Sequence, residues 1–330
     1  MSIIPTFRYA VARDKGFGII GATYDYGKGI KKGKVNLSGG SYYSQFNSDD
    51  PILAFTNTLT SLLAENNFMK IYDREFIEAK WNQSITTKWR ANISVDYSRR
   101  TETRNNTNQV WFPEDGRDFT SNEPNNVELP STSFGQSDAF RVNLEATWQP
   151  FAYAYKRNDR YYRVEKQPTF TLNYEKAIPN IGDAVIDYDR LSLEARYGFQ
   201  IGLVGTLNIR SEAGTFLNND RMDFMDYAHF MGNQTIFTRL EQVKGYSIAP
   251  YYAYSTNDEY LSTYVNLELR RFIFSQFPKL RLSGLTENIN VNHLITPSVQ
   301  NYLEVGYSLS NIFRLFRIDV TGAFVDGQYE

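Results

Sequence analysis

Trp89-Arg90-Ala91-Asn92-Ile93-Ser94-Val95-Asp96-Tyr97-Ser98 places an apolar residue at every odd position and a polar one at every even position. Successive side chains of a β-strand point to opposite faces, so this stretch separates an oily face from a wet one. Outward along the chain, Phe140, Val142, Leu144, Ala146 and Trp148 repeat the pattern against Arg141, Asn143, Glu145, Thr147 and Gln149, again with an aromatic at each end. Leu191, Leu193, Ala195, Tyr197 and Phe199 do the same, as do Leu261, Thr263, Val265, Leu267 and Leu269, and then Phe316, Ile318, Val320, Gly322 and Phe324. Strands of about ten residues with one apolar face and aromatics near both ends are the pattern of a transmembrane β-barrel.

Composition agrees. Aromatic residues make up 15% of the 330 residues, with 24 Tyr, 23 Phe and 4 Trp, more than a core of this size requires. Mean hydropathy is −0.47, and no run of about 18 apolar residues occurs, which excludes a helical membrane protein but not a barrel, whose strands are half polar. A net charge of −2 gives no global basic field, so nucleic acid is not expected as a partner. Cysteine is absent, which removes disulfides, thiolate catalysis and Cys-based metal sites together.

Period two marks thirteen strand candidates, near 4–13, 16–27, 33–46, 68–82, 86–100, 138–152, 167–177, 188–200, 203–216, 258–274, 280–290, 300–309 and 314–325. No candidate is the unbroken apolar run of a doubly buried parallel sheet, so the fold class is antiparallel all-β in one domain. Strand parity puts turns near 154–166, 201–202, 275–279 and 310–313 at one end, expected to be periplasmic. The long polar stretches 101–137, 178–187 and 217–257 fall at the other end, outside the cell. Residues 51–66 break the pattern: Asp49 and Asp50 precede Pro51, and apolar residues recur at 52, 55, 59, 62 and 63, which predicts a short amphipathic helix at the barrel rim, or else a gate.

The amino terminus lacks a basic stretch followed by an apolar core, so it does not read as a secretory signal. The close, Asp326-Gly327-Gln328-Tyr329-Glu330, reads as a turn rather than a closing aromatic strand. The expectation is therefore a partial chain of about fourteen barrel strands, sixteen if two more precede Met1.

Chemistry is sparse. His229 follows Asp226 by three residues, which suits an oriented base or ligand pair or, more simply, a loop histidine; His293 lies near a loop. Asn218, Asn219, Asp220, Asp223 and Asp226 could suit calcium, but their spacing is not that of an EF-hand. No nucleophile elbow, phosphate loop or zinc-protease motif appears, so neither a catalytic residue nor a cofactor or metal is assigned. Lys28 and Lys31-Lys32-Gly33-Lys34 form a basic turn that is either simply solvated or in contact with anionic lipid.

If the apolar faces meet lipid, the charges on the alternate positions point inward: Arg90, Asp96, Arg141, Glu145, Glu175, Arg190, Glu194, Arg196, Arg210, Glu212, Glu268, Arg270, Arg317 and Asp319. Both signs occupy the same strands, so the lumen is either a water-filled passage of weak ion selectivity or a self-neutralised interior. Trp89, Tyr97, Phe140, Trp148, Tyr197 and Phe324 are the expected aromatic girdle.

The stretches Leu267-Glu268-Leu269-Arg270-Arg271-Phe272-Ile273-Phe274-Ser275-Gln276-Phe277-Pro278-Lys279-Leu280, Asn301-Tyr302-Leu303-Glu304-Val305-Gly306-Tyr307-Ser308-Leu309 and Phe313-Arg314-Leu315-Phe316-Arg317-Ile318-Asp319-Val320 resemble an uncharacterised outer-membrane family common in Bacteroidetes. Residues 57–76, with Leu62-Leu63-Ala64-Glu65-Asn66-Asn67-Phe68 leading into Ile71-Tyr72-Asp73-Arg74, resemble it as well. Its members join an N-terminal carboxypeptidase-regulatory-like β-sandwich to a C-terminal barrel. The resemblance implies that residues 1–330 are the barrel portion, and it implies no peptidase activity, because the regulatory-like domain is not the catalytic one. The last strands are also similar, more loosely, to the assembly and translocation barrels of the BamA and TamA type.

The expected role is non-enzymatic passage, anchoring or assembly in the Gram-negative outer membrane, with outer-membrane lipid and envelope proteins as partners. A structural barrel with a filled lumen, an enzyme with a site in the outer loops, and a soluble β-sandwich are the alternatives.

Overall fold

The computed structural model describes residues 1–106, 108–113, 116–235, 245–282, 284–312 and 316–329, with Ala12 and Arg281 described by backbone alone. Phe313, Arg314 and Leu315, and residues 236–244 of the expected 217–257 loop, lie outside the described residues.

Period-two patterning yields strands β1 (Ser2–Ala10), β2 (Lys15–Tyr26), β3 (Gly33–Gln45), β4 (Ile71–Ser84), β5 (Trp89–Glu102) and β6 (Gln136–Trp148). A hairpin, β7 (Tyr153–Arg157) and β8 (Arg160–Val164), follows. Then come β9 (Thr169–Ala177), β10 (Asp187–Ile201), β11 (Gly205–Arg221), β12 (Tyr260–Leu269), β13 (Thr286–Thr296), β14 (Val299–Ile312), β15 (Phe316–Val325) and β16 (Gln328–Tyr329). All but the β7–β8 pair belong to one 14-stranded sheet in which each strand lies beside its neighbour in the chain and β6 passes to β9 around the hairpin. Every pairing is antiparallel.

Register carries the alternation from strand to strand. Leu144 lies opposite Tyr174, Leu172 opposite Leu193, Ile209 opposite Val265, and Val265 opposite Val291, which faces Val305. The other face holds Asp96 opposite Arg141, Arg196 opposite Arg210, Tyr264 opposite Asn292, and Asn292 opposite Glu304. One face of the sheet is therefore aliphatic and the other polar across almost its whole width.

Several expected boundaries shift; strand 203–216, for one, runs on to Arg221 as β11. Strand 138–152 ends at Trp148, and the expected turn 154–166 contains the β7–β8 hairpin, a second short alternation on Tyr153, Tyr155 and Tyr162. Strand 258–274 ends at Leu269, which leaves Arg270 beyond the ladder. Strand 280–290 becomes β13 at Thr286–Thr296, preceded by the short helix α2 (Pro278–Leu282). Leu280 and Leu282 alternate like a strand, but Pro278 cannot donate to a ladder, and Gly284 turns the chain at φ 88°.

The predicted helix forms as α1 (Ala54–Ala64), closed by Glu65 in the left-handed conformation at φ 58°. It leans on the β5–β6 connection, where Trp111 N–H donates to the Leu62 carbonyl and Thr120 N–H to the Glu65 carbonyl. The described residues of this connection, of α1 and of the chain from 222 to 259 all lie at one end of the sheet, called here the loop end. There Phe46 and Ile52 of the β3–β4 connection, Tyr72 of β4 and Phe224, Met225, Tyr227, Tyr251 and Tyr252 pack into an apolar core, against which Leu129 and Phe134 of the β5–β6 connection lean. Much of the high aromatic content is thus spent on folding loops onto one another.

Candidate functional site

The polar face encloses a cavity of about 680 Å³ bordered by residues of eight sheet strands from β3 to β12 and by residues 225–231. Its wall is an ion-pair ladder. Asp96 on β5 accepts Arg74 Nη2 at 2.7 Å and Arg141 Nε at 2.9 Å. Glu175 on β9 accepts Arg190 Nη2 at 3.2 Å and the Tyr188 hydroxyl. Like charges sit opposite each other at Glu194 and Glu212, and at Arg196 and Arg210. Diagonal pairing relieves them: Glu194 takes Arg196 Nε at 2.6 Å and Arg210 Nε at 2.5 Å. Glu212 accepts the Tyr260 hydroxyl at 2.8 Å, and Glu145 accepts Asn92.

The remaining predicted charges lie elsewhere. Arg317 pairs with Asp319 at 2.8 Å beside a second cavity of about 300 Å³, lined with Asn208, Asn266, Asn290 and Asn292. Arg90 bridges to Glu165 of the β8–β9 connection. Glu268 and Arg270 are exposed at the opposite end from the loops. Of the predicted girdle, Trp89 stacks on Trp148 at 5.8 Å, with Phe170 continuing the stack, and Tyr197 leans on Phe199; all sit towards the turn end. Tyr97 and Phe140 face each other in register towards the loop end, where Tyr97 donates to Asp138 at 2.8 Å, and Phe324 contacts Tyr329. Trp89 and Tyr97 are eight residues apart on one strand, about 27 Å at 3.4 Å per residue.

What covers this cavity at the loop end is not written in any local sequence pattern. The described residues of the 222–259 excursion, 222–235 and 245–259, fold back against the sheet. Arg100, fully buried, donates Nη1 to Asp226 at 2.6 Å and Nη2 to Asp223 at 3.0 Å, while Ser137 also binds Asp223. Asp223 and Asp226 reciprocate across a one-turn 3₁₀ helix as a capping box. Burial pushes the Asp223 pKa above the ordinary carboxylate value, outweighing Arg100. The acidic pair suggested as a calcium site is thus engaged by a guanidinium. Among the described residues no group of His, Asp and Glu is arranged to hold a metal ion.

At the far end of the excursion, buried Glu304 of β14 accepts the backbone N–H of Ser247 at 2.6 Å, Ile248 at 3.0 Å and Ala249 at 3.1 Å. Tyr302 and Asn292 donate to the same carboxylate. Tyr246 reaches Ser262 at 2.9 Å and the His293 carbonyl at 3.0 Å. The excursion is therefore tied to β5 at its entry and to β12, β13 and β14 at its exit.

His229 lies between the two ties. It shares a hydrogen bond of 2.8 Å between Nδ1 and the Ser255 hydroxyl, and its ring packs edge-on to Phe224 and Tyr252. Burial, with the Arg190 charge, pushes its pKa down to about 3, so the imidazole stays neutral. Asp226, engaged by Arg100, is not its orienting partner, and Ser255 is 1% exposed. His293 instead bonds Asn301 at 2.9 Å on the aliphatic side of β13.

The chain belongs to the family described as "Family of unknown function (DUF5686) C-terminal domain", whose model matches residues 1–309. No curated protein matches it.

Proposed function

We propose that this member of the family is a transmembrane β-barrel of the Gram-negative outer membrane, non-enzymatic, with its interior occupied by its own 222–259 excursion. The observation that carries this reading is the opposite chemistry of the two faces of the same strands. Ile20, Leu37, Ile77, Leu144, Leu193, Val305 and Ile318 are all exposed on the aliphatic face. A soluble monomer rarely shows a contiguous apolar patch beyond a few hundred Å², and here the patch recurs on strand after strand. Lipid is the solvent that such a wall fits. Two aromatic rows about 27 Å apart along strands tilted by about 40° would lie roughly 20 Å apart across the membrane, inside an apolar band of about 25 Å, and the longer connections at the loop end agree with that end facing the cell surface.

Closure of the sheet follows from the same reading, since an open edge in hydrocarbon leaves backbone groups unsatisfied. The likeness of residues 267–280 and 301–309 to the Bacteroidetes barrels with a regulatory-like β-sandwich supports the compartment. Within it, the filled interior favours a structural or assembly role over free diffusion. Charges of the wall are mutually paired, and the Arg100 and Glu304 ties hold a segment across the polar space.

Planar-bilayer recording of the purified chain tests this. The expected wild type is electrically silent, while Arg100→Ala combined with Glu304→Ala conducts. Steady open-pore conductance of the wild type would reject the filled interior.

A further inference from the structure

We infer that residues 270–282 form an interfacial anchor that binds the anionic headgroups of phospholipids in the leaflet at the turn end; this rests on the membrane-barrel reading above. The connection between β12 and β13 does not hang free. Glu287, fully buried although its register places it on the aliphatic face with Ile289 and Val291, accepts the N–H groups of Ile273, Phe274 and Ser275 at 2.9 to 3.1 Å. The hydroxyls of Ser275 and Tyr307 close the same cage, and Phe272 packs against the Tyr307 ring at 6.2 Å. Five donors on one carboxylate fold the segment back onto the outside of the wall, where lipid is proposed to lie.

Once held there, the segment presents two chemistries at once. Phe277 is 59% and Leu282 83% exposed, and Ile273 and Phe274 are exposed in the same segment. Arg270, Arg271 and Lys279 are exposed among them, and none forms an ion pair with a carboxylate among the described residues. Apolar rings that enter the acyl boundary beside unpaired cations make up an interfacial anchor for an anionic surface.

The charge of the whole turn end points the same way. In sequence, its connections between consecutive sheet strands hold 14 Lys and Arg against 2 Asp and Glu, whereas those of the loop end hold 6 against 16. A surface of that sign attracts anionic headgroups, and the folded-back position of 270–282 at the wall selects lipid over an acidic protein in solution.

The full chain, reconstituted in nanodiscs of phosphatidylcholine and phosphatidylglycerol in equal parts and then extracted, is analysed by native mass spectrometry for retained lipid. Wild type is expected to retain phosphatidylglycerol over phosphatidylcholine by about fivefold or more. R270Q/R271Q/K279Q is expected to insert equally and to lose the preference. Arg271→Gln alone, an exposed position whose change spares the Glu287 cage, is expected to lose part of it. Equal retention of both lipids by wild type, or an undiminished preference in the triple variant, overturns the anchor. Failure of wild type to insert into either bilayer overturns the barrel reading itself, and so the two failures are distinguishable.

Discussion

The 222–259 excursion is held at its entry by a cation and at its exit by an anion, and the two ties differ in more than sign. Arg100 meets side chains only: Asp223, Asp226 and Ser137. Glu304 meets mainly backbone, the N–H groups of residues 247–249. The entry tie can be undone from either partner. No side-chain substitution within residues 247–249 other than proline removes the exit tie's donors, so its control sits in Glu304. One excursion thus carries an adjustable latch and a fixed hinge.

Breaking the latch is expected to have the largest effect. Arg100→Ala removes the guanidinium that contacts buried Asp226 and half-buried Asp223, leaving Asp226 only the longer 3.8 Å approach of Arg141, a loss of about 3 kcal/mol by analogy with broken buried pairs. Thermal unfolding in detergent should register it, and proteolysis should cut the excursion near residue 226. Arg100→Ala with Asp223→Asn and Asp226→Asn should recover part of the loss, because no unpaired charge remains.

Glu304→Ala follows, with a loss of roughly 2–3 kcal/mol from backbone donors left without an acceptor. Its signature is local: faster amide exchange at residues 247–249 and unchanged exchange at residues 224–226. Concerted loosening of both segments would show that the ties are not independent.

A smaller effect comes from pH. His229 is held neutral with a pKa of about 3, below the ordinary 6.5. Between these values the released segment binds a proton that the seated one does not. The stability His229 contributes is therefore complete above about pH 6.5 and is lost progressively as pH falls towards 3, about 2 kcal/mol at pH 5. Asp223, whose pKa burial raises, works in the opposite direction, so the slope that His229→Gln removes isolates the imidazole. An unchanged profile in that variant would place the acid sensitivity elsewhere.

The smallest effect is expected on the aliphatic face. Ser211 and Thr263 share a hydroxyl hydrogen bond of 2.9 Å there. Replacing both, as Ser211→Ala with Thr263→Val, should change stability by less than about 0.5 kcal/mol, since both polar partners leave together.

Period two made the strands legible, because a strand such as 89–98 needs only its own residues to declare its faces. It also located Asp96, Arg141, Glu194 and Arg210 on the cavity side. Arg100 and Glu304 escaped because their importance comes from residues more than 50 positions away in sequence. The local hint was the pair Asp223 and Asp226 around the apolar Phe224 and Met225, an arrangement unsuited to a solvated loop. The β12–β13 segment was misread for a related reason. Leu280 and Leu282 carry strand periodicity, but the Glu287 cage, formed across the turn, decides their conformation.

A membrane barrel requires lipid against the aliphatic face and none against the polar face. Because the chain has no cysteine, single Cys reporters are clean. A fluorophore placed in turn at positions 191 to 197 of β10, in proteoliposomes containing a lipid-phase quencher, tests it directly. Quenching at 191, 193, 195 and 197 with protection at 192, 194 and 196 is the predicted result; uniform protection, or quenching without that alternation, would contradict it.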